Sequence, residues 1–472
     1  MAVSKIGGPM MLPGKVPPPD LCPPYAKRSS TCRTWYLGHT PRLLQRRLEE
    51  GIFRPSEILH CATGKSKGGS SASADITSRK VVAGEIPHNL GNPVALVALS
   101  SFTNAAPIEG SDKRAISSIV SGTPVGMASS VTGGGTATVV YPTTIAQLKA
   151  YLTSDDPQNI VISGTFNFVG SEGTTSLTAC DAYPCTTSAG GQALLNTLGG
   201  CGSKSTYSVS IDTAGYQGIN VKSNKTLVGK NGATLNGKGL RFVGVSNIII
   251  QNIAITNLNP KYVWGGDAIS LSQTNNIWID HVTTSSLGRQ HYSFGTSYNN
   301  AVTISNSFIN GKTSYSASCD GHSYWGLELV GSGDQITFYK NYVYYTSGRS
   351  PALSGNTLFH AVNNVWSSNT GHLLEGDSNG MGLYEGNYFT SVPTVVASGS
   401  SIRLFSSNSG DVSKCASYLG RSCVSNSLSS SGAFSYSDTS FLYLFQGKTN
   451  IVSAASASSI QSTVPSSAGN TL

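Results

Sequence analysis

The chain has 472 residues and a net charge of +8, but only 11% of its residues are charged. Residues 1–114 hold 15 Lys and Arg against 8 Asp and Glu, whereas residues 115–472 hold 16 against 15. Because the longer part is nearly neutral, its composition argues against a nucleic-acid-binding protein, and no apolar run reaches the length of a membrane-spanning helix.

Residues 1–114 form an atypical N-terminal segment. They mix Pro, Arg and Ser with apolar residues without any sustained period, which predicts disorder. Within 93–114, the apolar run 94–99 followed by Ala105-Ala106 resembles a signal peptide, and Lys113-Arg114 resembles a dibasic processing site. We interpret the stretch before this region as wrongly joined coding sequence; a genuine long extension is the alternative.

Residues 115–472 carry a loose repeat in which each apolar stretch ends in a polar marker residue. The markers lie 23 to 35 residues apart, at Asn252, His281, Asn306, Asn341, Asn364 and Asn387. Strand-like runs with a period in the twenties are typical of a solenoid, which escapes the size limit of a single core by growing lengthwise. The repeat therefore predicts an all-β solenoid over 115–472, with insertions as loops on one face.

Three short segments place charged residues at related points of this repeat. Arg289 and Arg349 each lie eight residues after a marker, two coils apart, and Asp267 lies 22 residues before Arg289. Strands stack about 4.8 Å apart, so the two Arg should lie roughly 10 Å apart on one face. Asp267, Arg289 and Arg349 are the candidate catalytic residues, although Asp267 after two glycines could instead be a turn residue.

The cysteines divide between the two parts of the chain. Residues 1–114 have three, and the solenoid has six, an even number that predicts disulfides and an oxidising compartment. Cys415 and Cys423 are close enough to close one local loop. No Cys-x-x-Cys or paired His spacing indicates a metal site, so no metal or cofactor is predicted.

From about residue 117 onward the chain resembles the fungal pectin lyases, in the polysaccharide lyase group that includes the pectate lyases. The motifs that carry the resemblance are Val131-Thr-Gly-Gly-Gly135, Lys261-Tyr-Val-Trp-Gly-Gly-Asp-Ala-Ile269, Trp278-Ile-Asp-His-Val282, Gly288-Arg-Gln-His-Tyr292, Cys319-Asp-Gly321 and Ser347-Gly-Arg-Ser-Pro351. The resemblance implies a right-handed parallel β-helix that cleaves pectin by β-elimination. It also implies Arg349 as the base, with Asp267 and Arg289 completing the site, and the disulfides Cys180–Cys201, Cys185–Cys319 and Cys415–Cys423.

Elementary chemistry favours a methyl-esterified substrate. An ionised carboxylate resists further negative charge at C5, and Ca²⁺ held by several acids overcomes that resistance. Relatives that cut free pectate carry a second acid where this chain has Gly265-Gly266-Asp267, and Arg289 stands where the resemblance would place their metal site. A neutral ester needs no metal, and Arg289 could stabilise the enolate oxygen.

The role of Arg349 remains open on chemical grounds. A guanidinium pKa above 12 opposes proton abstraction, so a base role requires Arg289 and desolvation to lower it. The alternative is that Arg349 acts electrostatically and water is the base.

Aromatic residues near these segments are candidates for substrate binding. Trp264 and Trp325 lie in polar, glycine-containing loops, which favours sugar stacking over a core position. Tyr183 stands where the family has Trp, and is a third candidate. Trp278, Asp280 and His281 lie in a strand, and we interpret them as structural, as we do His322, His360 and His372.

The sequence thus predicts a secreted, extracellular, monomeric pectin lyase acting on methylated pectin, with no nucleic-acid or membrane partner. The alternatives are a Ca²⁺-dependent pectate lyase and a non-catalytic β-helical carbohydrate-binding or surface protein. Asn224-Lys-Thr226 is a formal glycosylation site.

Overall fold

The computed structural model describes residues 115–472. The expectations for the disordered segment, the signal-like region and the processing site lie outside the described residues. Within 115–472, no helix is long and apolar enough to cross a membrane.

Short strands make up most of the described chain. In chain order they are β1 (Val139–Val140), β2 (Gln158–Asn167), β3 (Thr174–Cys180), β4 (Ala193–Leu195), β5 (Tyr207–Asp212), β6 (Ile219–Val221), β7 (Lys225–Asn236), β8 (Leu240–Val243), β9 (Ser246–Gln251), β10 (Ala254–Leu258), β11 (Tyr262–Val263), β12 (Ile269–Ser272), β13 (Thr274–Asp280), β14 (Thr283–Leu287), β15 (Tyr292–Phe294), β16 (Asn299–Ser305), β17 (Phe308–Asn310), β18 (Leu327–Leu329), β19 (Gln335–Tyr339), β20 (Tyr342–Tyr344), β21 (Ala352–Leu353), β22 (Leu358–Val362), β23 (Val365–Ser367), β24 (Glu375–Gly376), β25 (Met381–Glu385), β26 (Tyr388–Thr390), β27 (Arg403–Phe405) and β28 (Ser427–Ser429).

Helices are few and short. The α-helices are α1 (Ile145–Thr153), α2 (Thr213–Tyr216), α3 (Ala416–Leu419), α4 (Ala457–Ile460) and α5 (Thr463–Ser467). The 3₁₀ turns span Gly126–Ala128, Thr187–Ala189, Thr197–Gly199, Val412–Cys415 and Leu442–Phe445. Helix α1 starts at a capping box. The Thr144 hydroxyl accepts the Gln147 backbone N–H, and the Gln147 side chain accepts the Thr144 backbone N–H.

The strands stack into parallel faces that wind into a right-handed β-helix, as predicted. One face is the seven-stranded sheet β6-β8-β12-β15-β18-β21-β24. The other two faces belong to one 17-stranded sheet, in which β9-β13-β16-β19-β22-β25-β27 and β10-β14-β17-β20-β23-β26-β28 form separate runs.

Aligned apolar side chains fill the interior of the helix. Ile250, Ile279, Ile304, Phe338 and Ala361 pair in register from coil to coil, and each is fully buried. Burial of one large apolar side chain contributes about 1.5–3 kcal/mol. Because each coil buries its apolar residues against the next, the repeat itself builds the core.

The polar marker row is real, but its register differs from the prediction by one residue. Asn341, Asn364 and Asn387 form a carboxamide ladder in which each backbone N–H donates to the side chain of the next coil. The residue aligned with Asn341 in the preceding coil is Ser307, whose N–H donates to the Asn341 carboxamide, rather than the predicted Asn306. Asn306 instead belongs to a neighbouring row with a left-handed backbone.

One excursion leaves the β-helix before its central coils. Strand β3 pairs antiparallel with both β5 and β4, and β4 pairs parallel with β11. The disulfide Cys180–Cys201 closes the tip of this excursion, and Cys185–Cys319 ties it to a loop 134 residues later. With Cys415–Cys423, all three pairings implied by the resemblance are confirmed.

A buried network of charged and hydrogen-bonded groups, centred on Glu385, links residues of the later coils. Glu385 accepts hydrogen bonds from His360 at 2.8 Å and from Arg421 at 2.7 and 2.9 Å, and the His360 and Glu385 side chains are fully buried. Burial raises the pKa of the Glu385 carboxyl, but the bonds from His360 and Arg421 outweigh burial and lower its pKa from 4.5 to about 2.

This network predicts acid sensitivity. A carboxylate with a lowered pKa contributes stability that is fully present above pH 4.5 and is lost as the pH falls toward 2. We expect the melting temperature to drop across that window. The Glu385→Gln variant should melt lower at neutral pH and lose less on acidification. Equal acid sensitivity of both proteins, measured by calorimetry, would assign the effect to other groups.

Candidate active site

Five charged side chains alternate in sign along the outer face of the seven-stranded sheet. In chain order they are Asp267, Arg289, Glu328, Arg349 and Glu375. Glu328 lies in β18 and Glu375 in β24, while the other three lie in the corners that lead into β12, β15 and β21. The fold therefore brings the three predicted catalytic residues together, and adds two carboxylates that were not predicted.

Arg289 is buried between two acids. Its Nη2 atom donates to both carboxylate oxygens of Glu328, at 2.7 and 2.8 Å, and its Nη1 atom lies 3.7 Å from Asp267. Asp267 also accepts the Gln290 backbone N–H at 2.8 Å. Burial raises the pKa of Asp267, although the charge of Arg289 and the Gln290 bond oppose this. Asp267 therefore positions a buried guanidinium.

Arg349 also joins two acids. Its Nη1 atom donates to Glu328 Oε1 at 2.9 Å, and its Nε atom donates to Glu375 Oε1 at 2.9 Å. Burial acts to lower the pKa of the guanidinium, but Glu375 and Glu328 outweigh burial and raise it. The condition that we set for a base role, a lowered Arg349 pKa, is therefore not met, because carboxylates contact this guanidinium on two sides.

The two Arg are closer together than the repeat predicts. Both donate to Oε1 of Glu328, so their nitrogen atoms are much nearer than the roughly 10 Å expected from two strand steps. Nor are they in the same phase. Ser293 pairs with Glu328, which pairs with Ala352, so counting back four residues from Ser293 and from Ala352 places Gly348 level with Arg289. The one-residue shift of the marker row explains this difference in phase between the two Arg.

Local backbone geometry positions the side chains of the site. Arg349 and Trp264 have left-handed backbones, with φ of 41° and 73°, a costly conformation that tends to be retained at functional sites. A Cβ on Gly348 would lie 2.4 Å from the Tyr324 ring, so only glycine lets that ring pack beside Arg349.

The candidate aromatic residues differ in exposure. The Trp264 ring is 39% exposed, and the Arg289 guanidinium lies 3.7 Å from its centre. Trp325 is only 7% exposed, and its indole N–H donates to Gln192 at 2.9 Å. Trp325 therefore occupies a core position, against the expectation, and a sugar contact by it stays an untested prediction. The centre of its ring lies 5.2 Å from the Arg349 guanidinium, so the ring packs beside the site.

Tyr183 lies on the disulfide-closed excursion and packs edge-on against Trp325, with ring centres 6.2 Å apart. Burial raises the pKa of its phenol, and the charges of Arg349 and Arg289 oppose this. The residue is thus near both guanidinium groups, and a contact with substrate stays a prediction.

Glu375 connects the site to Tyr324 and His372, neither of which was predicted to belong to it. It accepts hydrogen bonds from the Tyr324 hydroxyl and His372 Nε2, both at 2.7 Å. Burial raises the pKa of Glu375, but His372, Arg349 and Tyr324 lower it to about 2. His372 was interpreted as structural, and its hydrogen bond holds a carboxylate that contacts Arg349.

One signal could have revealed Glu328. In Leu327-Glu328-Leu329, two buried residues flank a charged one, so strand alternation places Glu328 on the outer face of the coil between the two Arg. By contrast, Asp280, His281 and Trp278 form a separate network with Ser305, as their structural interpretation predicts.

A cavity of about 710 Å³ opens beside these charges. Asp267, Trp264 and Ser270 line one side, next to the Arg289 corner. Arg241 and Asn220 continue its floor toward the start of the sheet, and Leu198 of the excursion lines it as well. Of the five charged residues, Asp267 lines this cavity, and Arg289 contacts both Asp267 and the Trp264 ring, so the cavity adjoins one end of the charged row.

Comparison with known proteins agrees with this architecture. Residues 112–470 match the family model described as pectate lyase. The chain is 73% identical over 361 residues to probable pectin lyase E of Aspergillus niger, covering 76% of this chain and 97% of that protein. The chain belongs to the pectate lyase family, in its group of fungal pectin lyases. Members of this group are polysaccharide lyases.

More distant relatives match a similar share of the chain. Pectin lyase B of Emericella nidulans is 49% identical over 383 residues, covering 80% of this chain and 97% of that protein. Among solved structures, pectate lyase II of Xanthomonas campestris is 18% identical with a TM-score of 0.45, covering 74% of this chain and 98% of that one.

Proposed function

We propose that this protein cleaves methyl-esterified polygalacturonan by β-elimination, releasing 4,5-unsaturated oligogalacturonides. The observation that carries the proposal is the convergence of two guanidinium groups on one carboxylate, beside the cavity that Asp267 and Trp264 line. Similarity to the pectin lyases supports it.

The reaction needs positive charge near the ester. The C5–H bond breaks, its electrons form the C4=C5 double bond, and the C4–O bond breaks so that the leaving oxygen takes up a proton. Negative charge develops on the ester carbonyl oxygen as the proton leaves C5. Fixed cationic donors stabilise such charge strongly in a site that excludes water, which is the role we assign to Arg289 and Arg349.

The surroundings of Arg349 favour an electrostatic role over the role of base. With Glu328 and Glu375 raising its pKa, its guanidinium stays charged and donates hydrogen bonds. In this mechanism Arg349 holds the ester carbonyl and water accepts the C5 proton.

A calcium-dependent mechanism fits these acids less well. Glu328 is shared by both Arg, Asp267 lies against Arg289, and Glu375 is bound by Arg349. Each acid thus already has a cationic partner. Within residues 115–472, no group of three or more His, Cys, Asp or Glu is arranged to hold a metal ion.

We expect elimination to persist in excess chelator and to fall as the pectin is de-esterified, because the ester itself acidifies the C5 proton. The measurement is ultraviolet absorbance of the unsaturated product, on high- and low-ester pectin, with and without chelator. Activity that disappears in chelator, returns with Ca²⁺ and prefers low-ester pectin would replace this function with that of a pectate lyase.

We also propose that the protein is secreted. Three disulfides in the β-helix suit an oxidising compartment, in which such bonds persist. A monomer remains our expectation.

A further inference from the structure

A single row of residues runs along the outer face of the seven-stranded sheet. Register pairing fixes its order as Asn220, Arg241, Ser270, Ser293, Glu328, Ala352 and Glu375. We call it the outer row. Arg241 is three strands before Glu328, roughly 14 Å away at the usual strand spacing. The outer row therefore carries a cation of its own, Arg241, in the cavity beside Asp267.

Arg241 differs from the two catalytic Arg in its partners. Within residues 115–472 it makes no ion pair, and its Nη1 atom donates to the neutral Asn220 carboxamide at 2.9 Å. Strand β8 alternates buried and exposed positions, so Arg241 points outward while Leu240 and Phe242 fill the core. A guanidinium with spare donors thus lines a cavity of about 710 Å³.

The walls of this cavity suit a sugar ring. Trp264 is 39% exposed and lines one side, and Leu198 is 98% exposed and lines it as well. Leu198 has a left-handed backbone with φ of 55°, in the loop that the Cys180–Cys201 disulfide closes. An exposed apolar side chain held in an unfavourable conformation is consistent with a functional position.

We propose that this cavity is a subsite for a galacturonate unit with a free carboxylate, which Arg241 binds. The proposal rests on the proposed function and adds a specificity to it. The enzyme then needs an ester at the unit it cleaves but binds an unesterified unit at a fixed position along the chain, so partial de-esterification lowers its activity less than it would without Arg241.

Charge and shape both support a carboxylate in this position. The planar guanidinium fork matches carboxylate geometry, and Asn220 leaves Arg241 without an acidic competitor. Asp267 lines the same cavity, but Arg289 offsets its charge. A methyl ester at this position would offer Arg241 only a neutral acceptor, and would forgo the stronger, charge-assisted bond.

The test compares two substrates made from one galacturonate oligomer, the first fully methyl-esterified and the second randomly de-esterified to about half. The quantity measured is the ratio of kcat/KM on the second substrate to that on the first, from ultraviolet absorbance. We expect Arg241→Gln to lower this ratio roughly fivefold, the size of one exposed ion pair, and Arg241→Lys to lower it less. Melting curves check folding.

The matched control is Lys230→Gln, which removes one exposed positive charge from β7, outside the outer row. It should leave the ratio unchanged. If Arg241→Gln does not change the ratio, or if both variants lower it equally, the subsite proposal is overturned while the proposed function stands. If neither substrate yields unsaturated product with the unmodified protein, the proposed function is overturned, and this specificity with it.

Discussion

Replacing Arg349 with Lys is expected to lower kcat on methyl-esterified pectin roughly 100- to 1000-fold, the loss typical of one oxyanion donor. Arg349 uses two different nitrogens, with Nε on Glu375 and Nη1 on Glu328. The single ammonium of Lys cannot reproduce that fork. The measurement is the elimination rate, with circular dichroism to confirm the fold.

The matched control for this variant is Arg403→Lys. Arg403 also pairs with an acid, Asp438, at a similar exposure, but lies in β27 outside the seven-stranded sheet. Near-normal turnover in Arg349→Lys would remove this guanidinium from the mechanism.

Chemical rescue of Arg349→Ala separates the two roles of the guanidinium. If it acts as a cation, added guanidinium ion should restore activity well below its own pKa. Rescue that follows only the neutral form of added amines would return Arg349 to the role of base.

Removing the shared carboxylate should also have a large effect. We expect Glu328→Ala to lower kcat at least about 100-fold, because Arg289 and Arg349 lose the group that holds both guanidinium groups in place. Breaking a buried ion pair by deleting one partner lowers the free energy of unfolding by about 3–5 kcal/mol. Because Glu328 is partly exposed, we expect a loss of stability near the lower end of that range. Thermal unfolding and steady-state kinetics measure the two effects.

Glu172→Ala provides the comparison for this variant. Glu172 also lies between two cations, Lys149 and Lys238, both at 2.8 Å, but far along the chain from the site. That variant should retain kcat. Deletion of Glu328 removes one of the acids that raise the Arg349 pKa, so higher turnover in Glu328→Ala would show that a less basic Arg349 is the better catalyst and that our electrostatic assignment is wrong.

The fold was predictable because one physical constraint repeats along the chain. Each coil must bury its apolar residues against the next, so a period in the twenties with Asn markers was sufficient to predict a solenoid. The site was predictable to the level of a shared face, since Asp267, Arg289 and Arg349 each precede a strand of the same sheet. The disulfide pairings came from family resemblance, because six cysteines alone allow many connectivities.

Three features of the site were beyond the pattern. The repeat assigned Asn306 to the row that Ser307 occupies, because both residues are small and polar, and this slip misaligned the two Arg. Burial of Trp325 depends on Gln192 and Tyr183, which come from an excursion that the repeat does not describe. The charge state of Arg349 depends on Glu328 and Glu375, which are distant from it in sequence.

The division between sheet and excursion bears on how such an enzyme can diversify. Glu328 and Glu375 lie on strands whose spacing the stacked coils fix, whereas Leu198 and Tyr183 lie on the excursion that two disulfides hold. Insertions or substitutions in that loop would change the wall of the cavity without moving the charged residues on the sheet. Selection can therefore adjust which polymers are accepted while the chemistry is inherited unchanged.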